Sequence, residues 1–245
     1  MALVHEFENS GNWLFKRRSW LPVLIIFAGI VVMYIGNRQA ILFDRHDELI
    51  FLGISMFGEI IRILTVGFAP RNTSGRNTVT GQIADELNVT GAYSIVRHPL
   101  YLGNFFMWLG PVLFLRSVWF LIVFCLVYWL YYERIMFAEE QFLRKKFGDA
   151  YDKWSEKVGA FIPLSFRFIS PKLPFSIRNV LRREYNSFIN IFVIFALLDL
   201  CRNYFFTGRI WLNRIWLWSF AGAFIIWIIV RSVHKYTRWL EVRGM

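Results

Sequence analysis

The chain is poor in the residues that cross-link a fold or hold a metal: its 245 residues include 2 cysteines and 4 histidines. Cys125 and Cys201 both sit inside apolar runs, too few for a disulfide framework and without zinc-ligand spacing, so they read as small core residues. No metal site is expected. Acidic residues are scarce as well, 17 against 28 Lys and Arg, for a formal charge of +11. No glycine-rich strand-to-helix loop is present, so a doubly wound nucleotide-binding domain has no foundation. No internal repeat is found, and many carriers show one.

What fills the chain instead is apolar: 56% of residues are hydrophobic and 19% aromatic, where a soluble domain sits nearer ~45–50% apolar. The excess lies in long runs separated by basic segments, which points to a bilayer as solvent. One N-terminal signal peptide cannot account for runs along the whole chain. A spanning helix needs about 20 mainly apolar residues. The runs at about 20–36, 49–68, 100–115, 118–132, 188–206 and 211–233 predict an all-α, polytopic helical bundle with about six transmembrane helices. Only Arg116 and Ser117 separate the third run from the fourth, so these two form an antiparallel hairpin. Together the runs describe one membrane-embedded domain over 1–245. Its core is at 69–163, and 164–245 is an extension carrying two further spans.

Basic residues set the orientation. With the N-terminus inside, the inner segments hold 21 Lys and Arg and the outer ones 6, counting residues at span ends with the loops they flank. The positive-inside rule then places both termini in the cytoplasm. It also accounts for the surplus charge with the bilayer alone, and no nucleic-acid partner is expected. Two long segments, Ala69–Pro99 and Glu133–Ser187, fall on that same side. Long loops in compact proteins are usually functional or disordered. The second is too aromatic for disorder, and a helix leaving the fourth span, running to about Lys146 and stopped by Gly148, fits it best.

The first segment ends Gly91-Ala92-Tyr93-Ser94-Ile95-Val96-Arg97-His98-Pro99-Leu100-Tyr101-Leu102-Gly103-Asn104. Pro99 suits a first helical turn, where its missing N–H costs nothing. Arg97 and His98 then stand at a helix mouth whose dipole favours an anion. Gly103, one turn in, allows close approach to the backbone. Singly, each has an ordinary explanation: a snorkelling arginine, a solvated histidine, a helix-packing glycine. The second segment offers Glu139-Glu140, Leu143, Phe147-Gly148, Tyr151 and Trp154. Adjacent carboxylates are commonly just solvated. Here the hairpin returns them toward Arg97–Gly103, where carboxylates and aromatic faces suit a cationic ligand.

Tyr93, Arg97-His98-Pro99, Tyr101 and Gly103, followed by Glu139-Glu140, Leu143, Phe147-Gly148, Tyr151 and Pro163, resemble the isoprenylcysteine carboxyl methyltransferase and phospholipid methyltransferase superfamily. The resemblance covers the central part of the chain closely, the 76–87 loop loosely, and neither the first two nor the last two spans. It implies S-adenosyl-L-methionine as cofactor, held by Tyr93, His98, Leu100, Tyr101, Gly103, Glu139 and Glu140. Trp154 departs from the tyrosine often found there and is given no role. The implied partner is a membrane lipid or lipidated acceptor.

An anionic acceptor oxygen needs a cation to position it and no general base, so Arg97 is the first candidate and Glu140 the second catalytic residue. Arg76 and Arg71 are weaker candidates for substrate binding. An amine acceptor would need a base. Arginines without acids over 69–80 tilt the reading toward O-methylation of a prenylcysteine carboxylate or a lipid phosphate such as that of lipid A, with phospholipid N-methylation as the alternative. Glu59 and Arg62 in the second run, and Asp199 and Arg202 in the fifth, are spaced i,i+3 and read as intrahelical ion pairs. The alternative is that Glu59 or Arg62 lines the substrate cavity. Membrane sterol-type reductases using NADPH share a similar Arg-x-Pro-x-Tyr-x-Gly element but usually follow it with an acid, where this chain has Asn104.

Overall fold

The computed structural model describes residues 2–36, 45–70, 73 and 82–242. These form eight α-helices and no strand: α1 Leu3–Lys16, α2 Trp20–Ile35, α3 Arg45–Gly67, α4 Pro99–Phe114, α5 Val118–Phe147, α6 Asp149–Ser155, α7 Ile177–Thr207 and α8 Arg214–Tyr236. Arg71 and Arg76 lie outside the described residues.

The expectation of about six spans needs adjustment by length. Four helices, from α3, α5, α7 and α8, are long and apolar enough to cross a membrane unaided, and α1 with α2 qualifies as a pair bent by 77°. The remaining helix, α4, has 16 residues, about 24 Å of rise against a hydrocarbon core of about 30 Å. Its C-terminal end meets the tight turn into α5. In that turn Arg116 takes a positive φ of 51°. The chain is a multi-pass integral membrane protein.

α5 is the longest-reaching element. Its 30 residues rise about 45 Å, well beyond a hydrocarbon core. As the sequence indicates, it leaves the bilayer and ends at Phe147, with Gly148 at φ 51° turning the chain into α6. Against this projecting half packs α1, which the sequence reading does not anticipate. Gly11 abuts the Arg134 carbonyl and Ala138, Phe7 meets Phe137 edge-on at 5.6 Å, and the Arg134 guanidinium lies over Phe7. The signal was present: Leu3, Phe7, Gly11, Leu14 and Phe15 recur at helical spacing and mark one face.

α3 and α4 cross backbone to backbone. Gly58 meets the Gly103 carbonyl and the Met107 amide, while Gly110 meets Ser55 and the Phe51 carbonyl. Small residues permit this approach where lipid offers no hydrophobic drive to bring helices together. One polar bond repairs the cost of Pro111 inside α4. Proline has no N–H to give its i−4 carbonyl, and that carbonyl, Met107 O, instead accepts from Ser55 Oγ at 2.9 Å.

α3 is also bolted to α7 at both ends. At one end Arg202 pairs with Asp199, as expected from i,i+3 spacing, and with Glu48 of α3 at 2.8 Å. At the other, Arg62 does not pair within its own helix with Glu59. It forms a two-pronged bridge to Glu184 of α7, at 2.9 and 3.0 Å, and donates to Asn104 of α4. α7 starts well before the expected 188, because Ser176 caps it and Asn179 donates to the orphan Val66 carbonyl at the end of α3. A test follows from the glycine crossing. Gly58→Ala places a Cβ 2.6 Å from the Met107 amide, whereas Gly53→Ala meets nothing within 4 Å. Gly58→Ala should lower unfolding stability in detergent by about 1–3 kcal/mol, and Gly53→Ala should leave it unchanged.

Candidate active site at the start of α4 and the C-terminal half of α5

The two extramembrane segments fold onto each other. The Arg97 and His98 amides donate to the Gly159 and Ala160 carbonyls at 2.8 and 3.0 Å, and Val96 and Gly159 form a short parallel bridge. Further back, Gly91 N donates to Ile169 O, and Ile169 N donates to Ser94 Oγ. This backbone stitching holds the start of α4 beneath the strap that follows α6.

Side chains complete the join. Arg97 grips Glu140 through Nε and Nη2, at 2.9 and 3.3 Å, while its Nη1 donates to the Ser155 and Val158 carbonyls at 2.6 and 2.9 Å. His98 lies between two carboxylates: Nδ1 is 3.4 Å from Glu139 and Nε2 is 3.1 Å from Glu140. Both ring nitrogens donate only in the imidazolium. Burial alone would lower the His98 pKa, but Glu139 and Glu140 outweigh it and hold it above its ordinary value. Burial pushes the Tyr93 hydroxyl well up, so it stays neutral.

A cavity of about 480 Å³ opens here, within the range of small-molecule sites. Its outer part is walled by Tyr93, Arg97, His98, Leu100, Glu139 and Trp154. Its inner part reaches past Tyr101 and Asn104 to Met107, Trp108, Arg62 and α7. Most expected site residues thus meet on one cavity: Tyr93, Arg97, His98, Leu100, Tyr101 and Glu139, with Arg62 deeper. Glu140 sits behind His98 and Arg97, off the lining. Gly103 is off it too, because Gly58 and the Arg62 side chain occupy the space its missing Cβ leaves. Glu59 is fully buried, and neither of its carboxyl oxygens has a hydrogen-bond partner among the described residues.

Three polar atoms of the lining, Tyr101 Oη, Trp154 Nε1 and Gln82 Oε1, are buried without a hydrogen-bond partner among the described residues. Orphans of this kind are costly unless a ligand completes them. Trp154, given no role from sequence, is therefore a wall of the site. Also unforeseen are Arg183, Glu184, Ser187 and Asn190 of α7. The signal that points to them is the cap at Ser176, which extends the fifth hydrophobic run upstream into a basic stretch. Among the described residues no group of three or more His, Cys, Asp or Glu is placed to hold a metal ion.

Fold and site together define an integral membrane protein with a cavity lined by both polar and aromatic side chains within a helical bundle. The phospholipid methyltransferase family matches residues 50–150. The protein-S-isoprenylcysteine O-methyltransferase of Schizosaccharomyces pombe is 42% identical over 33% of this chain and 34% of its own length. The Probable protein-S-isoprenylcysteine O-methyltransferase of Oryza sativa subsp. indica is 32% identical over 51% of this chain and 68% of its own. The nickel-cobalt-cadmium resistance protein NccN of Alcaligenes xylosoxydans xylosoxydans is 31% identical over 62% and 67%. No solved structure matches. The chain belongs to the family of membrane methyltransferases that includes the protein-S-isoprenylcysteine O-methyltransferases, and S-adenosyl-L-methionine is the methyl donor this family implies. The match spans about a third of the fission yeast protein.

The clamp on His98 makes stability depend on pH with a definite sign. Its folded pKa is raised, so the stabilisation is full below the ordinary value of about 6.5 and fades as pH climbs through the raised value. The melting-temperature advantage of wild type over His98→Gln should therefore shrink as pH rises above about 6.5. An advantage that grows over that range would show a neutral ring.

Proposed function

We propose that this chain is an S-adenosyl-L-methionine-dependent methyltransferase that O-methylates an anionic group on a lipidated acceptor, foremost a prenylcysteine carboxylate. The observation that carries the reading is the cavity itself. Glu139 and the aromatic faces of Tyr93, Tyr101 and Trp154 stand on one wall, as a sulfonium cation requires, and orphaned polar atoms there await a polar ligand. The bound cofactor supplies a methyl group already activated as an electrophile. What remains for the protein is orientation and exclusion of water.

Residue roles follow from reach. Glu139, Tyr93, His98, Leu100 and Tyr101 hold the cofactor. Arg97, with Nε, Nη1 and Nη2 all donating to protein acceptors, positions Glu140 and the strap rather than meeting the acceptor, which revises the role expected from its place in the sequence. Glu140 in turn fixes the ring of His98. The lipid tail enters from the bilayer, where Pro22 of α2 and the exposed Asn190 of α7 border the cavity. The core at 69–163 receives walls from Arg62 of α3 and from α7, and positive-inside bias puts this face in the cytoplasm.

O-methylation is favoured over phospholipid N-methylation because an amine must first lose a proton. The acid on the inner wall, Glu184, is committed to Arg62 in a two-pronged bridge. A carboxylate acceptor needs no base.

Purified protein in nanodiscs should transfer labelled methyl from S-adenosyl-L-methionine to a farnesylated cysteine carboxylate. S-adenosylhomocysteine should raise its melting temperature, and NADPH should not. A shift with NADPH alone would favour a reductase and remove the proposal. Arg97→Ala and Glu140→Ala should each abolish transfer, falling by at least about 100-fold, while the protein still inserts. Full activity in both variants would refute the site.

A further inference from the structure

The strap between α6 and α7 presents apolar side chains that the bundle does not bury. Ile162, Leu164, Phe166 and Phe168, at every second position, are between 56% and 81% exposed. Residues 161–178 also contain Arg167, Lys172 and Arg178 and no acid. Arg167 and Lys172 are exposed, Lys172 lies 3.9 Å from Glu86, and Arg178 stands over the Trp239 ring. Both ends of the strap are seated on spanning helices. Phe161 meets Phe105 of α4 and Trp129 of α5 edge-on at 6.0 and 5.9 Å. Phe175 meets Phe68, just past α3, at 5.1 Å, and Ser176 N donates to Gly67 O at 2.9 Å. Between these pins the chain forms no helix. Irregular backbone cannot face lipid within the hydrocarbon, where its amides would go unbonded. The strap therefore lies at headgroup level, with only its side chains reaching inward.

We propose that the strap is a membrane-surface anchor: Leu164, Phe166 and Phe168 insert into an anionic phospholipid leaflet while Arg167 engages its phosphates. An apolar row facing water would be an aggregation liability. Facing a bilayer, the same row gains by burial, and interleaved basic side chains add attraction to anionic lipid. The anchor rests on the membrane embedding of the chain and on the inward orientation of this face, and not on methyl transfer. It bears on the cavity all the same. Gly159 and Ala160, which receive the Arg97 and His98 amides, immediately precede Phe161, and Ile169 is bonded to Gly91 and Ser94. The lipid surface and the cavity mouth are thus joined through one short stretch of chain.

The test uses the full chain in nanodiscs holding one copy each, with Cys125→Ala and Cys201→Ala and a nitroxide on a single introduced cysteine. Strap labels are placed by Leu164→Cys, Phe166→Cys and Phe168→Cys. Leu130→Cys, at an exposed position of α5, is the bilayer reference, and Asp149→Cys, exposed at the start of α6, is the water reference. Oxygen, which concentrates in lipid, and a water-soluble nickel chelate report where each label sits. Relative to Asp149→Cys, strap labels should collide more with oxygen and less with nickel, shifting toward Leu130→Cys. Adding phosphatidylserine to a phosphatidylcholine bilayer should deepen that shift. Arg167→Gln should remove the deepening and Arg167→Lys should keep it, with the Leu130→Cys reading unchanged in both, which shows that they fold. Strap labels as open to nickel as Asp149→Cys overturn the proposal. Labels shielded from both reagents overturn it too, since protein would then cover the strap. An equal shift in the two bilayers, or full deepening in Arg167→Gln, overturns the assignment to anionic lipid.

Discussion

The site depends on one guanidinium. Arg97 reaches a carboxylate of α5 and two carbonyls at the end of α6 and just past it, while its own amide donates to the Gly159 carbonyl of the strap. Three chain segments that have no apolar reason to meet outside the bilayer are joined through it. A bidentate arginine bridge at 16% and 20% exposure is screened less by water than a surface pair. It is therefore able to set geometry. Glu140, held by Arg97, fixes the ring of His98, and His98 and Glu139 both line the cavity.

The membrane shapes the rest. In lipid, helices gain little from burying apolar surface against one another, so this bundle is fastened by close glycine crossings and by polar bonds. Gly58, Gly103 and Gly110 bring α3 and α4 into backbone contact, and Ser55 supplies the donor that Pro111 withholds. Arg62–Glu184 and Arg202–Glu48 fix α7 on α3 at two levels. Beside the Arg62–Glu184 bolt the helices leave the cavity that Tyr93, His98 and Glu139 also line.

Much of this was legible in the residues. Apolar runs gave the helices, Gly148 gave the end of α5, and Arg97-His98-Pro99 with Glu139-Glu140 marked the two halves of the site. Each of those signals is local: periodicity, a cap, a charge beside a helix start. The i,i+3 rule held for Asp199 and Arg202 and failed for Glu59 and Arg62. In the second case a carboxylate on another helix offers Arg62 two oxygens in a fork geometry, which Glu59 on the same helix does not. Gly103 carried the right property, absence of a side chain, and the group that uses the space is Arg62.

Sequence by itself determined that the chain lives in a bilayer, that its third and fourth hydrophobic runs pair, and that Glu139-Glu140 ride on the helix leaving the fourth. Those follow from composition and from spacing along one helix. Tertiary structure alone decided that Arg97 is tied to Glu140, Ser155 and Val158, that Trp154 walls the cavity, and that α7 lines it. These depend on contacts between residues far apart in the chain. Spacing does not encode such contacts, and only the packed bundle brings their charges within bonding distance.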